Sequence, residues 1–371
     1  MSARAERLPA LDLLRFIAAL AVFAFHLTYR GAVYERYTTI TFPELDAWTR
    51  YGYFGVDLFF ILSGFVILLT VECGRGSPGH FVASRVARLY PVFWVAATLV
   101  FLLTFTQPEP FSVGWKDYFL NLTMLPGDFG ARAVDGVYWT LAVELRFYLG
   151  VAVYLIFLQR WIAIDVMLAL WLSCIGASLF LAVAPDWLHA VALTRHGALF
   201  AFGCLCLRCR QAGLTPWRGV LTLAAAVCSV MCVVNQIPAI PQESPEVFSP
   251  VVVAAIGIAL IVVFAVLCAA PTWLAWGGNL AVVLGGLSYP LYLVHQKLGY
   301  LTMNLTAPVL GRWGALLLAL IQALALAAAL HWGVERVYNA RLRRWLEPKL
   351  RFFDRFAGTA QGGPRPDLST S

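Results

Sequence analysis

Two residues of one apolar run carry the first chemical signal. The stretch 12–30, DLLRFIAALAVFAFHLTYR, places Arg15 and His26 eleven positions apart. A helix separates them by roughly 16 Å, about half the thickness of a hydrocarbon layer. An ionisable group there costs about 2.5 kcal/mol or more, so each points to function. Arg15 is a permanent cation suited to phosphate oxygens. His26 is a titratable imidazole suited to proton transfer. Asp12, three positions before Arg15, pairs with it most simply as a local contact.

Two carboxylates in other apolar runs extend the set. Asp57 lies roughly 9 Å from the outer end of the second run, and Glu144 at a similar depth in the fourth. A carboxylate that orients a histidine is the usual support for a general base, so both are candidates to set the tautomer of His26. Each read alone is also a buried structural residue. Arg85 and Arg88, three apart in ECGRGSPGHFVASRVARLY, share a helix face and suit phosphate, with Arg75 and His80 close by. The alternative for these arginines is simple orientation in the membrane. His295, after LSYPLYLV, is a further candidate for the outer cluster.

These residues need a membrane scaffold. The 371 residues are 61% hydrophobic and 13% charged, and mean hydropathy is +0.76. A soluble domain is about 25% charged. The expected fold is therefore all-α, a polytopic transmembrane helical bundle. Ten spans are expected near 11–29, 52–71, 89–106, 138–158, 162–183, 190–207, 217–235, 249–269, 279–298 and 312–332. Arg195 and His196 interrupt the sixth. The stretch 115–126 is too short and polar to cross and reads as interfacial or re-entrant. With the N-terminus inside, inner segments hold 17 Lys and Arg against 8 in outer ones, which predicts both termini in the cytoplasm. Residues 1–335 form the expected membrane domain. Residues 336–371 form a basic cytoplasmic tail that opens as an amphipathic helix and ends disordered.

Several classes lose support. The apolar run after MSARAERLPA lacks a small-residue cleavage site and reads as a retained anchor. The net charge of +7 is explained by loop ends, so no nucleic-acid partner is expected. The eight cysteines do not form a secreted disulfide framework. Cys204, Cys206 and Cys209 cluster without the histidine or second pair of a zinc site, and no metal is expected. There is no Walker loop, no G-x-S-x-G elbow and no H-E-x-x-H.

Five segments in order carry a family resemblance: LDLLRFIAALAVFAFH at 11–26, YFGVDLFFILSGFVI at 53–67, SRVARLYPVFW at 84–94, VYWTLAVELRFYL at 137–149 and LGGLSYPLYLVHQ at 284–296. The chain resembles the acyltransferase-3 family of integral membrane acyltransferases. Where some members have two consecutive acidic residues, this chain has Glu144 followed by Leu145. The resemblance implies transfer of an acyl group, often acetyl, from cytoplasmic acyl-coenzyme A to a hydroxyl of a carbohydrate or other acceptor at the inner (plasma) membrane. It implies His26 as the catalytic histidine, and Arg15, Arg85 and Arg88 in activity or donor binding. Activity is then expected to fall as His26 protonates below roughly pH 6.5. The aromatic outer loops 30–51 and 107–137 are candidates for sugar contact. A small secondary metabolite is an alternative acceptor. A glycan or lipid flippase and a non-enzymatic partner of a polysaccharide machine are alternative functions; visible internal repeats, which a transporter usually brings, are absent.

Overall fold

A computed structural model describes residues 8–33, 35, 37–74, 76–181, 186–236, 248–270 and 276–357. Arg75 and the end of the tail lie outside them. The described residues are helical with no strand. Seven helical segments are long and apolar enough to cross a membrane: Pro9–Val33, Pro43–Cys73, Pro78–Thr104, Gly136–Leu158, Pro216–Asn235, Pro250–Ala269 and Gln296–Leu350. Two shorter helices, Ile164–Phe180 and Gly278–Val294, are also apolar.

Helix α1 (Pro9–Ala24) begins with Pro at its first turn, where no backbone donor is lost. It runs on through a π-helical turn, Phe25–Arg30, that contains His26. Such turns widen a helix by one residue and often mark functional positions. Helices α2 (Pro43–Thr49) and α3 (Gly55–Cys73) return. Helix α4 (Pro78–Thr104) starts eleven residues before the expected third span, because Ser77 caps it by accepting from the His80 backbone N–H. Arg85 and Arg88 therefore lie inside a helix. The stretch expected to be too short to cross forms α5 (Trp115–Asn121) and a 3₁₀ turn, Pro126–Phe129.

Next come α6 (Trp139–Val153), α7 (Ile164–Leu181), the short α8 (Asp186–Val191) and α9 (Gly197–Ala212). Arg195 and His196 sit in the break before α9 rather than within a helix, so the polar pair displaces that element toward the C-terminus. Helices α10 (Pro216–Asn235), α11 (Pro250–Ala269) and α12 (Gly278–Val294) follow. Helix α13 (Gln296–Leu330) is broken at Gly311, whose φ of 68° only glycine adopts without strain. A π-turn, His331–Glu335, joins it to α14 (Arg336–Leu350), the expected tail helix, and α15 (Phe352–Phe356) ends the described chain.

Two close packings position the site. Helix α3 meets α9 through glycines: a Cβ on Gly64 would stand 2.0 Å from the Phe200 carbonyl oxygen, and one on Gly203 would stand 2.0 Å from that of Ile61. Helix α1 meets α12 the same way, since a Cβ on Gly285 would stand 2.4 Å from the Asp12 Cβ. Small residues let helix backbones approach where lipid offers no hydrophobic drive between helices. Helix α14 packs back along α4, with His80 Nδ1 3.2 Å from Glu347 and Ser77 donating to Asp354 at 2.9 Å.

Candidate active site

The three candidate arginines come together. Arg15 from α1 and Arg85 and Arg88 from α4 line one cleft of about 130 Å³, with Ser63, Thr140, Glu144, Tyr148, Tyr289 and Tyr292. A single water needs only about 10–15 Å³ by the same measure, so a thin chain of atoms has room. Arg15 donates to Asp12 at 3.3 Å. Arg88 lies 3.9 Å from Glu335, which in turn is 2.7 Å from His331 Nδ1. Arg85 donates to Thr70 Oγ1 at 3.3 Å and to Ser84 Oγ at 3.4 Å, with its guanidinium 5.9 Å from the Tyr148 ring centre. Among the described residues no carboxylate lies within ion-pair distance of Arg85.

Glu144 belongs to this arginine cleft. Its Oε1 accepts from both Ser63 and Tyr148. Asp57 is held elsewhere. It is fully buried, with Oδ1 accepting from Gln236 Nε2 at 3.3 Å and Oδ2 lacking any partner among the described residues. Gln236 also faces His196 Nδ1 at 3.4 Å and accepts from Tyr53 at 3.2 Å. The expectation that Glu144 or Asp57 orients His26 thus meets different neighbours in the fold. Equal depth in separate helices does not bring side chains onto one face.

His26 is buried, and its partners come from the loop after the first helix and from the start of α13. Gln296 Nε2 lies 3.1 Å from His26 Nδ1 and donates to Glu35 Oε2 at 2.8 Å. Gln296 Oε1 accepts from the Val137 backbone N–H at 3.0 Å. The Tyr300 hydroxyl donates toward Glu35 Oε2 at 3.0 Å or the His26 carbonyl at 3.1 Å, and stands 3.4 Å from Nδ1. Arg30 closes the network on Glu35 at 2.7 Å. The carboxylate near His26 is therefore Glu35, reached through an amide. Glu35 lies in a polar loop where no apolar setting singles it out. Gln296 follows His295 in the quoted segment but carries no charge to draw notice.

His295 joins His26 as a neighbour, with ring centres 5.3 Å apart. Its Nδ1 faces the Tyr292 carbonyl at 2.9 Å. Tyr292 also lines the arginine cleft and shares a 2.8 Å hydrogen bond with Thr140. Tyr292 thus touches both the cleft and His295, its ring centre 5.6 Å from that of the histidine. Beside this cluster the loop residue Asp135 accepts from the backbone N–H groups of Val137 at 3.3 Å and Lys297 at 3.2 Å. Burial pushes its carboxyl up to about 6, against the opposing pull of Lys297.

Comparisons with known proteins bear on the chain rather than on single residues of this site. Over 156 residues the chain is 31% identical to acyltransferase MdmB of Streptomyces mycarofaciens, covering 40% of this chain and 39% of that protein. It is 27% identical over 173 residues to peptidoglycan O-acetyltransferase OatA of Listeria monocytogenes, covering 42% and 25%. It is 30% identical over 117 residues to exopolysaccharide production protein ExoZ of Rhizobium meliloti, covering 30% and 36%. The aligned regions thus span well under half of these relatives. No solved structure matches. The family model of the acyltransferase domain matches residues 8–332, a range that contains α1 to α13 whole, and the chain therefore belongs to the acyltransferase-3 family.

Proposed function

We propose that the protein is a membrane O-acyltransferase that moves an acyl group, acetyl in the simplest case, from cytoplasmic acyl-coenzyme A to a hydroxyl of a cell-envelope or exported carbohydrate. The observation that carries the reading is one helix with two unlike ends. Arg15 opens onto a cleft with two further arginines, and His26, about 16 Å along the same helix, sits in a buried polar cluster. On this reading ten spans cross the inner (plasma) membrane with both termini in the cytoplasm. The donor's phosphates rest on Arg15, Arg85 and Arg88. Its thioester arm follows the cleft past Tyr292, and His26 acts where the acceptor hydroxyl meets the thioester. Charge-assisted contacts from guanidinium groups suit phosphate, and a positioned imidazole suits proton transfer. Glu144, held by Ser63 and Tyr148, tempers the charge of the cleft. The relatives named for acetyl transfer to peptidoglycan and for exopolysaccharide production support a carbohydrate acceptor. Membership of an acyltransferase family favours transfer chemistry over a flippase.

The test uses membrane vesicles with wild type or His26→Ala and labelled acetyl-coenzyme A. Label should reach envelope glycan only with wild type. Equal labelling by both proteins would overturn the role of His26, and no labelling by either would overturn this donor and acceptor pair.

A further inference from the structure

The hydrogen bonds around the two histidines fix where each neutral ring carries its proton. The Gln296 amide has one orientation that suits both of its other contacts. Its oxygen accepts from the Val137 N–H at 3.0 Å, and its nitrogen donates to Glu35 Oε2 at 2.8 Å. The same nitrogen lies 3.1 Å from His26 Nδ1. An amide N–H is a donor only, so Nδ1 is the acceptor and the proton of neutral His26 is on Nε2. His295 has the opposite arrangement. A carbonyl oxygen, that of Tyr292, sits 2.9 Å from Nδ1, so Nδ1 carries the proton. Nε2 keeps a lone pair. That atom has no hydrogen-bond partner among the described residues, in a side chain that is 1% exposed. Buried polar atoms are nearly always paired, and an exception calls for a reason.

We infer that His295 Nε2 is the base that receives the acceptor's proton, and that His26 Nε2–H is the donor that steadies the carbonyl oxygen under attack. The inference rests on the acyl-transfer reading above and reassigns roles within it. The rings are 5.3 Å apart, centre to centre, at 56°. At that separation both rings would act on one reacting carbon once it enters between them. The hydroxyl gives its proton to His295 Nε2 as its oxygen bonds to the thioester carbon. The carbonyl oxygen gains the negative charge and is held by His26 Nε2–H. Collapse breaks the carbon–sulfur bond, and the imidazolium of His295 returns the proton to the departing thiolate. Ester and thiol leave, and both histidines are neutral again. The backbone bond to Tyr292 holds His295 in place, and Tyr292 lines the arginine cleft from which the thioester would arrive.

The experiment measures initial transfer rates from labelled acetyl-coenzyme A to envelope glycan in vesicles holding the full chain. In His295→Asn the new amide nitrogen still reaches the Tyr292 carbonyl, but the base is gone. Its rate should fall about 100-fold or more, with donor KM and thermal midpoint unchanged. If that variant does not fold, His295→Gln, which supplies an acceptor oxygen but no base, should show the same loss. In His26→Gln an amide N–H remains near the Nε2 position, so it should keep at least about tenfold more activity than His26→Ala. A folded His295 variant within about threefold of wild type would overturn the inference, as would a His26→Gln variant no better than His26→Ala. Either result leaves the acyl-transfer reading standing, since that reading fails only if vesicles with wild type transfer no label.

Discussion

Replacing Arg85 with glutamine should weaken donor binding while sparing the fold. Arg85 makes neutral hydrogen bonds of 3.3 and 3.4 Å to Thr70 and Ser84 and also meets the hydroxyl of Tyr148, which keeps its bond to Glu144. The Thr70 and Ser84 hydroxyls keep another bond, to the carbonyls of Val66 and Phe81 at 2.8 Å each. Removing the guanidinium therefore strands no buried partner and should cost less than about 1 kcal/mol. Relief of its repulsion with Arg15 and Arg88, in the same cleft, works in the opposite direction. A charge-assisted bond to a phosphate contributes about 1.5–3 kcal/mol, and each 1.4 kcal/mol is tenfold. The expected result is a donor KM raised about 10- to 150-fold, with kcat near wild type because binding and transition state lose the contact equally. Arg88→Gln is the contrast. Among the described residues it leaves Glu335, 7% exposed, with His331 as its remaining ion-pair partner, and should destabilise by about 1–3 kcal/mol as well. The assay is the donor dependence of label transfer, beside thermal unfolding of each variant in detergent. An unchanged donor KM in a folded Arg85→Gln variant would refute the placement of phosphate on this arginine. A fall in kcat alone would put Arg85 at the reacting end instead.

Two further measurements bear on the scaffold. Gly203→Ala adds a methyl group 2.0 Å from the Ile61 carbonyl oxygen and 2.9 Å from the Phe65 nitrogen, so α3 and α9 must part. A loss of about 1–3 kcal/mol is expected, and an unchanged unfolding midpoint would deny that close approach. Asp135 supplies a pH test. Its carboxyl is raised from 3.8 to about 6 by burial, so the stability it contributes is full below about pH 3.9 and lost as pH rises through about 6. Raising the carboxyl that far corresponds to about 3 kcal/mol. The unfolding midpoint of wild type should decline between pH 4.5 and 7.5 more steeply than that of Asp135→Asn; equal slopes would remove Asp135 as the cause.

Much of the scaffold was legible because burial in lipid leaves long apolar runs. The starts of α10, α11 and α12 fall within one residue of the expected spans. The polar signals that shift boundaries were harder to read. Ser77 extends α4 by capping it, and Gly311 breaks α13 through a left-handed backbone. The convergence of Arg15, Arg85 and Arg88 was legible too, since permanent cations in apolar surroundings are conspicuous and their loop placement gave a common end. The partners of His26 were not. Periodicity gives depth along a helix but not the direction each helix turns toward its neighbours. Glu144 and Asp57, at similar depth, turn toward Tyr148 and Gln236 respectively.

The substitution of an amide for a carboxylate beside His26 has a chemical consequence. A carboxylate against Nδ1 would favour the Nδ1–H tautomer and stabilise an imidazolium. An amide donor against Nδ1 does the reverse. It holds the proton on Nε2 and disfavours a second one on Nδ1, because two N–H groups would then face each other. Glu35 is close enough to orient Gln296 and Tyr300, yet its charge is already engaged by Arg30. The polar cluster therefore favours a neutral, donating His26. In the same cluster His295 anchors Nδ1 on a backbone carbonyl and leaves Nε2 unpaired. On the assignment proposed above, these two opposite tautomers side by side would let one ring accept a proton while the other steadies an oxyanion. Gln296 immediately follows His295 in the chain, so the break between α12 and α13 sets the tautomer of His26 while aiming His295. Displacing that break by one residue would disturb both rings together, which ties the proton chemistry to the backbone geometry at one position.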